Sequence, residues 1–320
     1  MRKFLVVFVF VVSVVIAGFA AFVATRQNLK FDAPMPPVQA SSDTAVIARG
    51  HYVVRQLASC PICHGDPKQY DRTLAGEEVP LSGGFVFDIP PGKFYPRNIT
   101  PDKETGIGNF SDGEIARALR YGVGHDGRAL LPFMEMQGLS DEDLVAVVSY
   151  LRSEPPVHHV VPAHQITLLG RIVKATVLAH PVGPKETPLK DNPHGATVEN
   201  GRYLVESVSN CWSCHTQRDY KTGAIVGRHL AGSNMPDDFN PKRIWAPPNL
   251  TSDPTTGRLA KLTEDQFVAR MRAGRAIPGS PMPWQQFQTL HEDDLRAIYR
   301  YLKTVPPVVH ETGAPFVDKS

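Results

Sequence analysis

An uncharged run from Phe4 to Ala24 follows the basic residues Arg2 and Lys3. Its 21 residues, as a helix rising about 1.5 Å per residue, span roughly 30 Å, the thickness of a bilayer's hydrocarbon core. Cleaved signal peptides usually have a shorter apolar region of about 7–15 residues. We therefore predict that residues 1–26 form a single-pass transmembrane helix. The alternative is a cleaved export signal, for which small residues near the end of the run offer sites.

Beyond this run, helix-like patterning occurs in two blocks of similar order, 43–155 and 197–310. Apolar residues at i, i+3, i+4 and i+7 predict an amphipathic helix at the end of each block. These residues are Leu144, Val147, Val148 and Leu151 in the first block, and Leu295, Ile298, Tyr299 and Leu302 in the second. Each block also contains a capping box, from Ser111 to Glu114 and from Thr263 to Gln266. The pattern predicts short helices joined by loops rich in Gly and Pro.

The two blocks are related by an offset of 151 residues, at which Asn249-Leu250-Thr251 repeats Asn98-Ile99-Thr100. This self-similarity predicts a tandem duplication of one structural unit. Residues 27–42, rich in Pro, Ala and Ser, predict an extended tether. Residues 156–196 predict a Pro-rich linker with one short helix in the apolar stretch from Ile166 to Leu178. Residues 311–320 remain as a C-terminal tail.

Each block carries one Cys-x-x-Cys-His sequence, the attachment signature of haem c. The two sequences contain all four cysteines of the chain: Cys60, Cys63 and His64 in the first, and Cys211, Cys214 and His215 in the second. Two thiols on one helical turn can form thioethers to the vinyl groups of a single porphyrin. The histidine that follows is then placed to ligate the iron.

Two other interpretations of the cysteines fit less well. A thioredoxin-like redox pair does not require the histidine after the second cysteine. In a zinc ribbon the two Cys-x-x-Cys pairs lie roughly 15–20 residues apart, whereas Cys63 and Cys211 are separated by 147 residues. The sequence therefore predicts two covalently attached haem c groups.

A histidine on one side of the iron leaves a sixth ligand to be found, and methionine suits electron transfer there. In the second block the candidate is Met282, which lies between two prolines in a loop, with Met235 as its rival. In the first block the candidates are Met134 and Met136. Alignment on the preceding arginine and proline favours Met134 as the ligand and Met136 as a core residue.

Other features change this interpretation little. The net charge of +2 gives no reason to expect a nucleic-acid partner. The linker histidines lack Cys or carboxylate partners at ligand spacing, so solvated side chains are expected rather than a metal site. Arg97 and Arg243 could pair with haem propionates. The carbonyl that accepts the second N–H of each proximal histidine is expected near Pro96 and Pro248.

The chain resembles the class I cytochrome c family, and specifically membrane-attached dihaem cytochromes and cytochrome subunits of bacterial membrane-bound dehydrogenases. The haem motifs carry this resemblance, together with residues 98–108, 140–144 and 281–284. It implies an all-α fold of two tandem domains, with His64/Met134 and His215/Met282 as axial pairs. Glu135 and Met136 depart from the proline–aromatic pair that is usual after the first distal methionine.

The resemblance implies an electron-transfer protein without catalytic residues of its own. Its partners would be redox proteins: a dehydrogenase, a quinol-oxidising complex or a terminal oxidase. We expect the anchor to lie in the inner membrane and the haem domains on the periplasmic side. Alternatives are a cytochrome subunit of a dehydrogenase complex, or a dihaem peroxidase-like enzyme if one haem lacks its sixth ligand. A cysteine-ligated thiosulfate site is disfavoured because every cysteine belongs to a haem motif.

Overall fold

The computed structural model describes residues 2–176, 180–220, 223–237, 240 and 242–318. The end of the apolar stretch predicted from Ile166 to Leu178 therefore lies outside the described residues. The last two residues of the predicted C-terminal tail do so as well.

Helix α1, Arg2–Arg26, forms from the N-terminal apolar run. Its mean hydropathy reaches 3.0, and its side chains are exposed apart from those near its end, such as Val23. Among the described residues it is the one helix long and apolar enough to cross a membrane. Its length suits a membrane anchor, and an export signal at an N-terminus is likewise an apolar helix.

In the rest of the described chain the regular structure is mostly helical. The first half contains α2 (Thr44–Tyr52), α3 (Pro61–His64), α4 (Tyr70–Leu74), α5 (Asp112–Tyr121) and α6 (Asp141–Ser153), and α7 (Leu168–Thr176) follows in the predicted linker. The second half contains α8 (Val198–Tyr203), α9 (Cys211–His215), α10 (Glu264–Arg272), α11 (Trp284–Phe287) and α12 (Glu292–Thr304). The two halves share this order of helices except for α4, found in the first, and α11, found in the second.

Side chains cap most of the longer helices, as the sequence predicts. The capping box at Ser111 begins α5, and the one at Thr263 begins α10. The Ser140 side chain accepts from the backbone N–H of Asp143 and begins α6. These bonds satisfy N–H groups that have no partner within the helix.

Each half is built on a close crossing of its first and last helices, α2 on α6 and α8 on α12. Glycines at the crossings allow the backbones to approach. A Cβ on Gly50 would lie 1.9 Å from the carbonyl oxygen of Ala146, and one on Gly201 would lie 1.9 Å from that of Ala297. Leucine and valine side chains fill the core around the crossings, among them Val53, Leu57, Leu144, Leu204, Leu295 and Leu302.

A single π-helical turn continues α2 over Val53–Leu57, and another continues α8 over Leu204–Val208. After each turn a residue with positive φ directs the chain into the haem motif: Ser59 at 51° and Asn210 at 47°. Non-glycine residues seldom adopt this conformation. The duplication of the turn and of the strained residue shows that both halves approach the motif by the same path.

Two small antiparallel sheets correct the all-α prediction. In the first, β1 (Phe87–Ile89) pairs with β2 (Gly92–Phe94), and β2 pairs with β3 (Gln165–Ile166). In the second, β4 (Met235–Pro236) pairs with β5 (Arg243–Trp245), and β5 pairs with β6 (Phe316–Asp318). The outer strands β3 and β6 come from the predicted linker and the predicted C-terminal tail. Each half therefore includes a strand beyond the boundary expected from the sequence.

The predicted tether, 27–42, is extended but packs along the first half. The N–H of Phe31 donates to the carbonyl of Gly127 at 2.8 Å, and that of Ala40 donates to the Asp112 carboxylate at 2.7 Å. Val38 is buried in the core. Helix α7 in the linker contacts α1, where the Arg26 side chain donates to the carbonyl of Ala175 at 3.1 Å.

Candidate haem sites

The first Cys-x-x-Cys-His sequence forms a single helical turn, with Pro61 at the first position of α3. Proline suits this position because its missing N–H would have no partner there. The backbone N–H of His64 donates to the carbonyl of Cys60 at 2.8 Å, and the backbone N–H of Cys63 donates to the same carbonyl at 3.2 Å. The turn therefore gathers both thiols and the imidazole in one short segment.

The second motif coincides with α9. Here Asn210, in the left-handed conformation, precedes the first thiol, and its carbonyl accepts from the N–H of Ser213 at 2.9 Å. Trp212 is half-buried against the core and donates through Nε1 to the carbonyl of Glu206 at 3.2 Å. The two motifs thus share one backbone geometry with different side chains between the cysteines.

Both predicted proximal histidines are oriented by a backbone carbonyl. His64 Nδ1 lies 2.8 Å from the carbonyl oxygen of Arg97, and His215 Nδ1 lies 2.8 Å from that of Pro248. Burial lowers the pKa of both imidazoles, and the bond to the carbonyl partly opposes this. A neutral imidazole whose Nδ1–H donates to a carbonyl leaves Nε2 as the ligating atom. The carbonyls lie at or beside the prolines that the sequence indicated.

All four cysteines lie within the described residues, and none of them forms a disulfide. Burial raises the pKa of the Cys60 thiol to about 11. Burial raises that of Cys211 to about 12, with a further contribution from the charge of Glu206. The first thiol of each motif is therefore protonated at neutral pH.

The methionines predicted as sixth ligands occupy loops in front of the last helix of each half. Met282 is half-buried against the core, and so is Met136. Met134 is also half-buried, but it is not among the described side chains that pack on this core. Core packing is shared by Met136 and by Met282, the proposed ligand of the second half, so it does not separate a ligand from a core residue. Met134 stays the predicted ligand.

The two methionine loops differ in shape. After Met282 the chain forms α11 before it reaches α12. The first loop has no helix between Met134 and α6 and runs close to the second half instead. There the carbonyl of Glu135 accepts from Asn210 Nδ2 at 2.8 Å, and its carboxylate pairs with Arg218 at 2.7 Å. This contact accounts for Glu135, which departs from the pattern of the resembled family.

The arginines predicted to pair with propionates have partners within the chain. The Arg97 side chain donates to the carbonyls of Val161 and Pro162. Arg243 pairs with Asp318 of β6 at 2.8 Å. The sequence did not indicate Arg275 as a propionate partner, but its Nη2 atom is buried without a hydrogen-bond partner in the described part of the chain. A half-buried guanidinium ahead of Met282 fits the carboxylate of a haem propionate.

Two of the linker histidines bind backbone atoms. His159 Nδ1 lies 2.9 Å from the carbonyl oxygen of Ser82, and His164 Nδ1 accepts from the N–H of Tyr95 at 3.1 Å. Burial lowers the pKa of His164 to about 4. No three His, Cys, Asp or Glu side chains in the described ranges are placed to hold a metal ion.

Taken together, the residues present fit covalently attached haem. Each half offers two thiols in one turn, a neutral imidazole with its ligating nitrogen available, and a half-buried methionine. Trp212, inside the second motif, and Trp284 both pack on the core. Trp245 instead belongs to β5, where its Nε1 donates to Asp237 at 2.7 Å.

The family model described as "Cytochrome c" matches residues 198–306. Two similar proteins are dehydrogenase subunits. The fructose dehydrogenase cytochrome subunit of Gluconobacter japonicus is 30% identical over 285 residues, which cover 85% of this chain and 55% of that protein. The cytochrome c subunit of the quinone-dependent alcohol dehydrogenase of Gluconobacter oxydans is 33% identical over 290 residues, covering 83% and 56%.

A third relative matches along almost its whole length. It is a dihaem c-type cytochrome of Cereibacter sphaeroides, 27% identical over 304 residues, which cover 92% of this chain and 96% of that protein. By contrast, the chain spans little more than half the length of the two dehydrogenase subunits.

Proposed function

Residues 198–306 form a cytochrome c domain, and we propose that the chain is a dihaem electron-transfer protein built from two tandem cytochrome c domains. The observation that best supports the proposal is the duplicated proximal arrangement. Two Cys-x-x-Cys-His turns, 151 residues apart in the sequence, each have a histidine Nδ1 at 2.8 Å from a loop carbonyl at the same offset.

In this proposal Cys60 and Cys63 hold one haem, and Cys211 and Cys214 hold the other. When bound, each haem would supply reversible one-electron chemistry at its iron. The chain's own contribution is to fix and shield it. The carbonyls of Arg97 and Pro248 orient the imidazoles, and the cores around the helix crossings keep water from the pockets.

The proposed axial pairs are His64 with Met134 and His215 with Met282. A thioether in the sixth position raises the reduction potential and closes the iron to other ligands, which favours an electron carrier over an enzyme. We propose that α1 anchors the chain in the inner membrane, with both haem domains on the outer side. The length and apolar composition of α1 support this placement.

A second candidate function is that of a cytochrome subunit in a dehydrogenase complex. It is favoured by relatives named as cytochrome subunits of fructose, alcohol and gluconate dehydrogenases. On this proposal, electrons pass from a dehydrogenase through the two haems to a membrane acceptor.

Purification from membranes in mild detergent tests the two candidates together. A carrier gives two low-spin haems, both with the near-infrared methionine-to-iron band, and no stoichiometric partner. A dehydrogenase subunit gives the same spectra and co-purifies with a flavoprotein or quinoprotein. A high-spin haem without a sixth ligand contradicts both and indicates a peroxidase-like enzyme.

A further inference from the structure

Two buried tyrosines connect the halves of the molecule in a reciprocal way. Tyr52, at the end of α2, donates to the carboxylate of Asp294 at 2.7 Å. Tyr203, at the end of α8, donates to the carboxylate of Asp143 at 2.7 Å. Both the tyrosines and the aspartates are 151 residues apart. The tyrosine of each half thus donates a hydrogen bond to the last helix of the other half. This is the self-complementary pattern of a two-fold interface.

Each phenol oxygen is also an acceptor at the start of the opposite helix. The backbone N–H of His291 donates to Tyr52 at 2.9 Å, and that of Ser140 donates to Tyr203 at 3.0 Å. The His291 ring stacks on the Tyr52 ring with centroids 4.1 Å apart and planes at 7°. Each tyrosine therefore joins a carboxylate and a helix N-terminus of the other half.

The aspartates are held in place from their own half. Arg49 donates to both carboxylate oxygens of Asp143, at 2.7 and 2.9 Å. Asn200, which stands at the position equivalent to Arg49, donates to Asp294 at 2.9 Å. The exposed fraction of the Asp143 residue is 0%, and that of Asp294 is 8%. Removing one hydrogen-bond donor from a buried carboxylate costs free energy, because the carboxylate is then left partly unsatisfied. These networks therefore favour one relative placement of the halves.

The same interface brings each methionine loop to the other half's haem motif. Glu135, next to Met134, contacts Asn210 and Arg218 on either side of the second motif. Gln286, in α11 after Met282, donates through Nε2 to the carbonyl of Thr73 at 2.8 Å, in the helix that follows the first motif. The two π-helical turns that lead into the motifs also contact each other.

We propose that Tyr52 and Tyr203 are reciprocal positioning residues that hold the two haem pockets in one fixed mutual arrangement. This fixed arrangement sets the rate at which an electron passes between them. One electron leaves the reduced half and enters the oxidised half, and no proton or covalent bond changes. The inference rests on the proposed function, since it requires a haem in each half.

The test compares the double variant Y52F/Y203F with the matched control Y150F/Y301F. The control tyrosines also repeat at the offset of 151, but they bond within one half: Tyr150 accepts from Arg55 at 2.7 Å, and Tyr301 donates to Glu206 at 2.8 Å. Nitroxide labels on D71C and K261C, one exposed position in each half, report the distance between the halves by pulsed electron paramagnetic resonance.

We expect one narrow distance in the parent and in Y150F/Y301F, and a broad distribution in Y52F/Y203F. Electron exchange between the haems, followed after flash reduction by a flavin semiquinone, should slow about tenfold or more in Y52F/Y203F alone, because small misplacements of reacting groups cost up to about 10²-fold. If the double variant does not accumulate, Y52F alone is expected to show the same broadening to a smaller degree.

A narrow distance distribution together with an unchanged electron-exchange rate in Y52F/Y203F would overturn the inference. Equal broadening of the distance distribution in the control variant would overturn it as well. The haem content of the parent separates this failure from that of the proposed function. A parent with one haem contradicts the dihaem proposal and with it the inference, whereas a parent with two haems and an unbroadened Y52F/Y203F contradicts the inference alone.

Discussion

At the scale of single residues, each proposed haem site depends on a backbone carbonyl. The carbonyls of Arg97 and Pro248 lie 2.8 Å from the Nδ1 atoms of His64 and His215. Such a partner fixes the tautomer of a histidine ligand and the orientation of its ring. The sequence predicted that this carbonyl lies in the Pro-rich loops near Pro96 and Pro248, but it did not indicate which residue supplies it.

The methionine assignment in the first half gives a direct prediction. Met134→Ala should abolish the methionine-to-iron band of one haem, because the proposed ligand is lost. The matched variant Met136→Leu should keep both bands, since Met136 packs on the core and leucine preserves an apolar side chain of similar volume. Near-infrared absorption of the oxidised protein measures both. A band that survives Met134→Ala and disappears in Met136→Leu would reverse the assignment.

The hydrogen bonds of the Asp253 carboxylate lead to a prediction of how the free energy of unfolding changes at acidic pH. The backbone N–H and hydroxyl of Thr256, together with the Thr255 hydroxyl, donate to Asp253 Oδ1, each at 2.7 Å. These bonds lower the pKa of Asp253 from 3.8 to about 2. The unfolded chain therefore binds more protons between these values, and the stabilisation present above pH 4 is lost as pH falls towards 2.

Asp253→Asn should consequently make the unfolding midpoint less dependent on pH between about 4 and 2, relative to the parent. Thermal unfolding followed by circular dichroism across this range provides the measurement. The control is Asp191→Asn, which removes an exposed carboxylate and should leave the slope unchanged. Equal slopes in the parent and Asp253→Asn would refute the prediction.

At the scale of elements, the helix crossings carry the fold of each half. Gly50→Ala would place a Cβ 1.9 Å from the Ala146 carbonyl oxygen and 2.6 Å from the Tyr150 Cβ. We expect it to lower the free energy of unfolding by about 3 kcal/mol or more, because backbone has to move to admit the methyl group. Chemical denaturation monitored at the haem absorption would measure the loss.

Gly113→Ala is the matched control, because Gly113 also lies in a helix, α5, but the nearest atom to its added Cβ would be 3.5 Å away. Alanine should stabilise that helix by roughly 0.5–1 kcal/mol. If Gly50→Ala were as stable as Gly113→Ala, the crossing would not require a glycine.

The longer helices could be predicted from the sequence because their signals are local. Ser111 and Thr263 form the predicted capping boxes, and the apolar stripe ending at Leu302 lies on α12. The strands could not be predicted in this way. β3 has only two residues, too few for an alternating pattern, and it pairs with β2 more than seventy residues away. Their stability comes from tertiary packing.

At the scale of the whole molecule, the two halves form one pseudo-symmetric body. The sequence predicted the duplication but not the interface, because Tyr52 and Tyr203 look like ordinary helix residues until their partners in the other half are known. Their hydroxyl groups meet carboxylates 242 and 60 residues away in sequence. Contacts at such separations leave no periodic signal in the sequence.

Intact-mass spectrometry of the purified chain tests the central claim most directly. The four thiols in two turns predict a mass equal to the polypeptide plus two haem groups, and peptide mapping should place one haem on Cys60 and Cys63 and the other on Cys211 and Cys214. A chain that carries one haem, or none, would contradict the account.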